Sequence, residues 1–201
     1  MVDITFPTGV YWKKFKYEMV RASFSMASPY TGRTQILQSP YAVWMVEGGL
    51  IPYEKTNVGP IKSWLMKMSG KANRTKMLLP DADRNSLGTT QLGTLKATAA
   101  SGSTSVVAQG YTPSTTLAQE GDYVNIGDEL KVITSVYVSN VNGEETFTFS
   151  PPLRNEQTAG TVVRLHDNFL WVRAAEDNIA AWSITSPVEH AIELKFVEDV
   201  D

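Results

Sequence analysis

Residues 121–154 read GDYVNIGDELKVITSVYVSNVNGEETFTFSPPLR, and the fold is decided by how this stretch is understood. Val124 and Ile126 lead into a turn at Gly127-Asp128, after which 130–138 form a long β-branched run. Asn142-Gly143 separates that run from Thr146-Phe147-Thr148-Phe149. The dipeptide predicts a tight hairpin in which both central residues take positive φ. Pro151-Pro152 then stops the strand by removing two amide donors. With Val106-Val107 before it and Thr161-Val162-Val163-Arg164-Leu165 after it, this region supplies about five strands, enough for a small closed or half-open β-barrel and too few for two packed sheets.

The texture on either side is different. Small and hydroxyl residues fill 97–105 and 112–116, and the change begins near Leu92. Upstream, large residues recur at roughly alternate positions through Tyr11-Trp12-Lys13-Lys14-Phe15-Lys16-Tyr17 to Met19. That predicts a strand with its lysines toward solvent. Aromatics between lysines also suit a single-stranded nucleic-acid platform, but three lysines do not make a charged groove. Ser28-Pro29-Tyr30-Thr31-Gly32 is turn chemistry, and a second strand runs through Tyr41–Val46, closed by Gly48-Gly49.

One helix is well signalled. In the stretch 59–70, Ile61, Trp64, Leu65 and Met68 fall at i, i+3, i+4 and i+7, with Pro60 at the first helical position and Gly70 just past the end. Lys62 and Lys67 lie off that stripe, and Lys71, Arg74 and Lys76 follow, a run that reads as a solvated face or a partner-binding edge. A strand over Lys76–Leu79 ends at Pro80. In the last flank, 181–184 and 190–196 read as two strands around Pro187, with Ile192, Leu194 and Phe196 facing a core.

A lone terminal strand pair cannot fold without a sheet to join, and the N-terminal strands are the only ones without a partner. The expected fold is therefore mainly β. It is a discontinuous β-sandwich-like domain with one short α-helix (1–91 plus 167–201), carrying an inserted small β-barrel domain (92–166).

Composition excludes several chemistries. The absence of cysteine removes disulfides, thiolate nucleophiles and thiolate metal sites. A net charge of −3 is no footprint for nucleic acid. The charge is uneven: residues 1–92 hold 12 Lys+Arg against 6 Asp+Glu, and residues 166–201 hold 2 against 8. Flanks of opposite sign suit neighbouring positions in a folded unit or across an interface. No run is long enough for a membrane-spanning helix, and MVDITFPTGVYWKK lacks the basic start and apolar run of a secretory signal.

Catalytic constellations are scarce. His166 and His190 stand alone, and there is no G-x-S-x-G elbow or phosphate-cradling glycine loop. Asp81-Ala82-Asp83-Arg84-Asn85 imitates the start of a calcium loop, but Ser86 stands where glycine is needed and Leu92 where a bidentate glutamate is needed. Asp122, Asp128 and Glu129 cluster near a hairpin end that offers no cleft for a glycosidase pair. No catalytic, cofactor-binding or metal-ligating residues are assigned, and no enzymatic activity is expected.

The order of motifs resembles a known family. An N-terminal strand with Trp12, the turn S-P-Y-T-G before Gln35, the Trp44 strand, the helix ending L-M-K-M-S-G-K-A-N-R and the inserted module together resemble the distal tail proteins of long-tailed, siphovirus-like bacteriophages and prophages. Within the insert, Gly110-Tyr111-Thr112-Pro113-Ser114, Gly121-Asp122-Tyr123, Ile126-Gly127 and Phe149-Ser150-Pro151-Pro152-Leu153-Arg154 carry the similarity. The resemblance implies a structural virion protein of the tail tip, made in the host cytoplasm, whose homo-hexameric ring joins the tail tube protein to the tail hub. The barrel would then be a decoration contacting other tail-tip proteins or a host-surface glycan. Tyr111, Tyr123 and Tyr137 could stack on sugars in a carbohydrate-binding alternative. A head-to-tail connector or a capsid decoration protein is a further structural alternative.

The insert is expected to fold alone. A fragment of residues 92–166 should show β-type circular dichroism and a cooperative melt; a disordered spectrum would contradict the expectation.

Overall fold

The computed structural model describes residues 1–51, 53–54, 58–80, 87–88, 91–136, 139–178, 180–186 and 189–200. The chain is mainly β with one α-helix, and its strands form a closed barrel and a separate sheet. It divides into two compact units. One comprises Met1–Arg21, Ala42–Met77 and Trp171–Asp201, the other Ala22–Tyr41 and Leu78–Leu170.

The sheet has eight strands. These are β1 (Asp3–Ile4), β2 (Trp12–Ala27), β3 (Thr34–Leu50), β4 (Tyr53–Glu54), β5 (Arg74–Leu78), β12 (Phe169–Ala174), β13 (Ala180–Ser186) and β14 (Glu189–Glu198). The spatial order is β1-β5-β12-β14-β3-β2, with β13 and β4 also paired to β14. β14 is central. One of its edges takes β13 and then β12, and the other takes β4 and then β3, all antiparallel. The expected alternation holds, since Ile192, Leu194 and Phe196 are buried. The last flank supplies three strands rather than the two expected, because β12 and β13 are successive lengths lying along one edge of β14.

Other expectations need correction. Gly48-Gly49 does not close the second strand, which runs on to Leu50 with Ala42, Trp44, Val46 and Leu50 buried. Gly48 has a packing reason instead: a Cβ there would meet the Trp12 ring at 2.6 Å. Trp12 also begins a chain of aromatic contacts through Phe15 and Tyr17 to Trp44.

Helix α1 (Gly59–Met68) has proline in its first turn and buries Ile61, Trp64, Leu65 and Met68, the whole of the predicted stripe. Trp64 meets Phe196 of β14 at 6.0 Å, which seats the helix on the sheet. The helix stops one residue earlier than the glycine signal suggests: Ser69 takes the left-handed conformation (φ 49) and its amide bonds Met66 O.

The barrel order is β10-β7-β6-β11-β8-β9. Its strands are β6 (Leu92–Leu95), β7 (Ser105–Gln109), β8 (Tyr123–Ile126), β9 (Glu129–Val136), β10 (Glu144–Ser150) and β11 (Val162–Arg164). Closure needs six strands; β6, with a glycine in its middle, is the one not anticipated. Gly93 is required because a Cβ would strike the Tyr111 ring at 2.3 Å. The tight Asn142-Gly143 turn is also revised. Gly143 alone has positive φ (71), and the connection is organised by Asn140, whose Oδ1 accepts from the amides of Asn142 (2.8 Å) and Glu144 (3.1 Å).

Leu65→Ala should cost about 2–5 kcal/mol in urea denaturation, as large-to-small core changes do, whereas Lys62→Ala on the exposed face should stay within about 0.5 kcal/mol. Equal effects would contradict the burial pattern.

Candidate functional site

The β2–β3 ribbon is the surface most in need of explanation. Over residues 15–19 of β2 exposure alternates, with Phe15, Tyr17 and Met19 on the partly covered side. From Val20 to Ala27 every residue is exposed, and so are Thr34–Leu37 of β3. Successive strand residues point to opposite faces, so this outer half is open on both. Phe24 and Met26 are each 62 % exposed, Ile36 is 69 % and Leu37 is 71 %. The turn is well ordered by bonds from Ser28 N to Arg33 O (2.9 Å) and from Gly32 N to Ser28 O (3.0 Å), with Tyr30 at its tip. Arg21 and Arg33 are the only charged residues in 20–37.

Sequence reasoning placed the turn and missed the length of the strands. The missed signal is Ser23-Phe24-Ser25-Met26, an alternation that normally marks one covered face. In this chain alone that face is uncovered.

Glu129 and Lys131 share the inward face of β9 with Ile133 by the two-residue period. The two charged groups lie 2.7 Å apart with side chains 8 % and 0 % exposed. Lys131 Nζ also donates to Pro152 O (2.8 Å). Glu129 accepts from the amides of Arg154 (2.9 Å) and Asn155 (3.0 Å). Burial pushes the Glu129 carboxyl up, but the Arg154 amide, Lys131 and the Asn155 amide together hold it below its ordinary range. The pair ties β9 to the 152–155 segment and is structural.

A second polar tie closes the root of the barrel. Asn125 Nδ2 donates to Phe169 O (2.9 Å), and Phe169 N donates back to Asn125 Oδ1 (2.8 Å). Asn168 Oδ1 accepts from Asn125 N (3.1 Å), and Leu79 N donates to Asn168 O (3.4 Å). Neither asparagine was singled out from sequence, where each reads as ordinary loop or turn polarity.

The residues weighed from sequence do not converge. Asp122 accepts from Gln119 N (2.8 Å) and Asp128 is exposed, so the acids around the hairpin split into separate environments. Tyr111 is in the barrel core, edge-on to Phe147 at 6.0 Å, and presents no face for a sugar. Tyr123 is half-buried, while Tyr137 lies outside the described residues. His166 is half-buried with Nδ1 unbonded, 3.8 Å from the Asp167 carboxylate through Nε2. His190 belongs to β14, with its side chain outside the described set. The calcium-like stretch 81–86 also lies outside it. Among the described residues, no three His, Cys, Asp or Glu side chains are grouped to hold a metal, and no helix is long and apolar enough to cross a membrane.

No protein-family model matches the chain, and no curated protein matches it significantly.

Glu129→Gln should cost about 3–5 kcal/mol at pH 7, because it removes the carboxylate that neutralises a buried ammonium. The depressed carboxyl contributes stability above its unfolded value of 4.5, and that contribution fades as pH falls through and below this value. Chemical unfolding from pH 7 to 3 should show this loss in the wild type and a flatter profile in the variant.

Proposed function

We infer that the chain is a structural, non-catalytic component of a phage tail tip, assembling as a homo-hexameric ring between the tail tube protein and the hub. The motif order supports the family. The observation that carries assembly is the outer β2–β3 ribbon. A two-stranded ribbon with both faces in water is marginally stable, and one that displays Phe24, Met26, Ile36 and Leu37 is an exposed apolar patch of the kind that marks an interaction site. β2 is also an edge strand of the sheet, 16 residues long and without proline, and so a ready template for pairing with another chain.

A closed ring joins two different surfaces of the same subunit. Part of the opposite charge of the two flanks is already neutralised within one subunit. Arg74 lies 3.2 Å from Asp199 and 2.7 Å from Asp3, and its guanidinium sits 4.5 Å over the Trp171 ring. Residues 20–37 carry Arg21 and Arg33 and no acid, so an acidic surface complements the ribbon, and exposed pairs of this kind weaken with salt.

Sedimentation across protein concentration and salt tests the reading. A 22.2 kDa chain should give a species of roughly 133 kDa if six copies close a ring. Phe24→Asp with Leu37→Asp should lower association while leaving the monomer's melt nearly unchanged, since both residues are exposed. A strict monomer at high concentration, also in the presence of tail tube and hub proteins, would defeat the reading.

A further inference from the structure

β10 turns Glu145, Phe147 and Phe149 toward the barrel interior, and all three are buried. Two of them are core aromatics and the third is a carboxylate. Along the β9–β10 ladder, Glu145 lies beyond the Phe147–Val136 end, whereas Glu129 and Lys131 lie beyond the Ser150–Val132 end. The two buried glutamates are treated differently. Glu129 has an ammonium and two amides, whereas Glu145 has no cation beside it and faces only the Leu117 amide, outside good hydrogen-bond geometry. The adjacent Lys96 is taken by Glu144 (2.7 Å). The titratable group facing Glu145 is Tyr111, whose hydroxyl is likewise buried and unbonded, and whose pKa is pushed up first by burial and then by the Glu145 charge.

The segment over this carboxylate is 110–118, between β7 and β8. Tyr111, Leu117 and Ala118 plug into the barrel core. The segment belongs to no strand. Ser139 holds it: its Oγ accepts from Thr115 N (2.9 Å) and reaches the carbonyls of Thr112 and Thr115, while its own carbonyl accepts from Ser114 N (3.1 Å). Gln91 adds a paired contact to Thr112, and Tyr111 N donates to Gly143 O. Ser114 sits at φ 56, a conformation that non-glycine residues adopt at a cost. By contrast, β10 is laddered to β7 on one side and to β9 on the other.

We propose that residues 110–118 form a proton-controlled cap on the barrel, shut while Glu145 is protonated and released when Glu145 ionises. An ionised carboxylate buried without a counter-charge must find water. Reaching it through the wall would break two ladders, whereas reaching it through the cap breaks a handful of bonds centred on Ser139 and Gln91. Burial pushes the Glu145 carboxyl up from 4.5 to about 7, offset in part by the Leu117 amide. With the cap open the carboxyl returns toward its ordinary value, so the closed form holds the proton more tightly. Closure is then most favoured below about 4.5, fades between there and about 7, and is flat above. Opening uncovers Tyr111, Leu117 and Ala118 and creates an apolar surface at that end of the barrel.

Hydrogen–deuterium exchange of the full chain from pH 4.5 to 8.5, normalised for intrinsic exchange, reads the cap directly. The amides of Thr115, Leu117 and Ala118 should lose protection by roughly tenfold per pH unit up to about pH 7, the slope of one proton, and then level off. Phe147 and Phe149 should stay unchanged across the same range. Glu145→Gln should give a pH-independent cap. A flat wild-type profile at 115–118, or a variant with the wild-type slope, overturns the proposal. If the variant does not fold, the wild-type profile alone decides.

Discussion

The antiparallel ladder between Glu193–Val197 of β14 and Met45–Gly49 of β3 joins positions roughly 150 apart, and everything between them must close around it. Loop closure of that length costs about 4 kcal/mol by its logarithmic dependence on chain length. β14 offsets the cost because both of its edges and one of its faces are occupied. Ile192, Leu194 and Phe196 are each worth about 1.5–3 kcal/mol of burial. Glu198 Oε2 accepts from Trp44 N in the same region (3.0 Å). Without this strand, β3 keeps only β2 beside it and Trp64 loses the Phe196 ring on which α1 rests.

Elements whose two-residue or 3.6-residue period is strict were legible in the sequence. β14 alternates along its length, and α1 carries four apolar residues on one stripe, so each could be placed with its buried face. The resulting fold class, mainly β with one helix and a small barrel, follows from them. What was not legible depends on contacts that period alone does not encode. Gly48 and Gly143 look like punctuation, but each is small because a distant group lies against it, the Trp12 ring in one case and the Tyr111 carbonyl in the other. β6 is four residues long with a glycine inside, too short to show a pattern. β12 is preceded by asparagine and aspartate and hides behind their turn character.

The polar interior of the barrel shows a middle case. Charges in a strand are read by default as solvent-facing; Glu129 was weighed only as an acid near a hairpin end, and Lys131 and Glu145 drew no separate reading. The phase was present in the sequence: Glu145 is two residues from Phe147 and four from Phe149. An inward phase identifies a charge as buried. It does not say whether the charge is neutralised, because that depends on Lys131 and the 152–155 segment in one instance and on the 110–118 segment in the other. The ribbon is the converse, a strand pattern with a face that the single chain never covers.

Leu79 N bonds Asn168 O, so the chain passes into and out of the 80–167 segment at two points one hydrogen bond apart, between sheet neighbours β5 and β12. The two ends of the segment are thereby tied at one place. β5 and β12, on either side of that segment, stay neighbours whatever the length of chain between them.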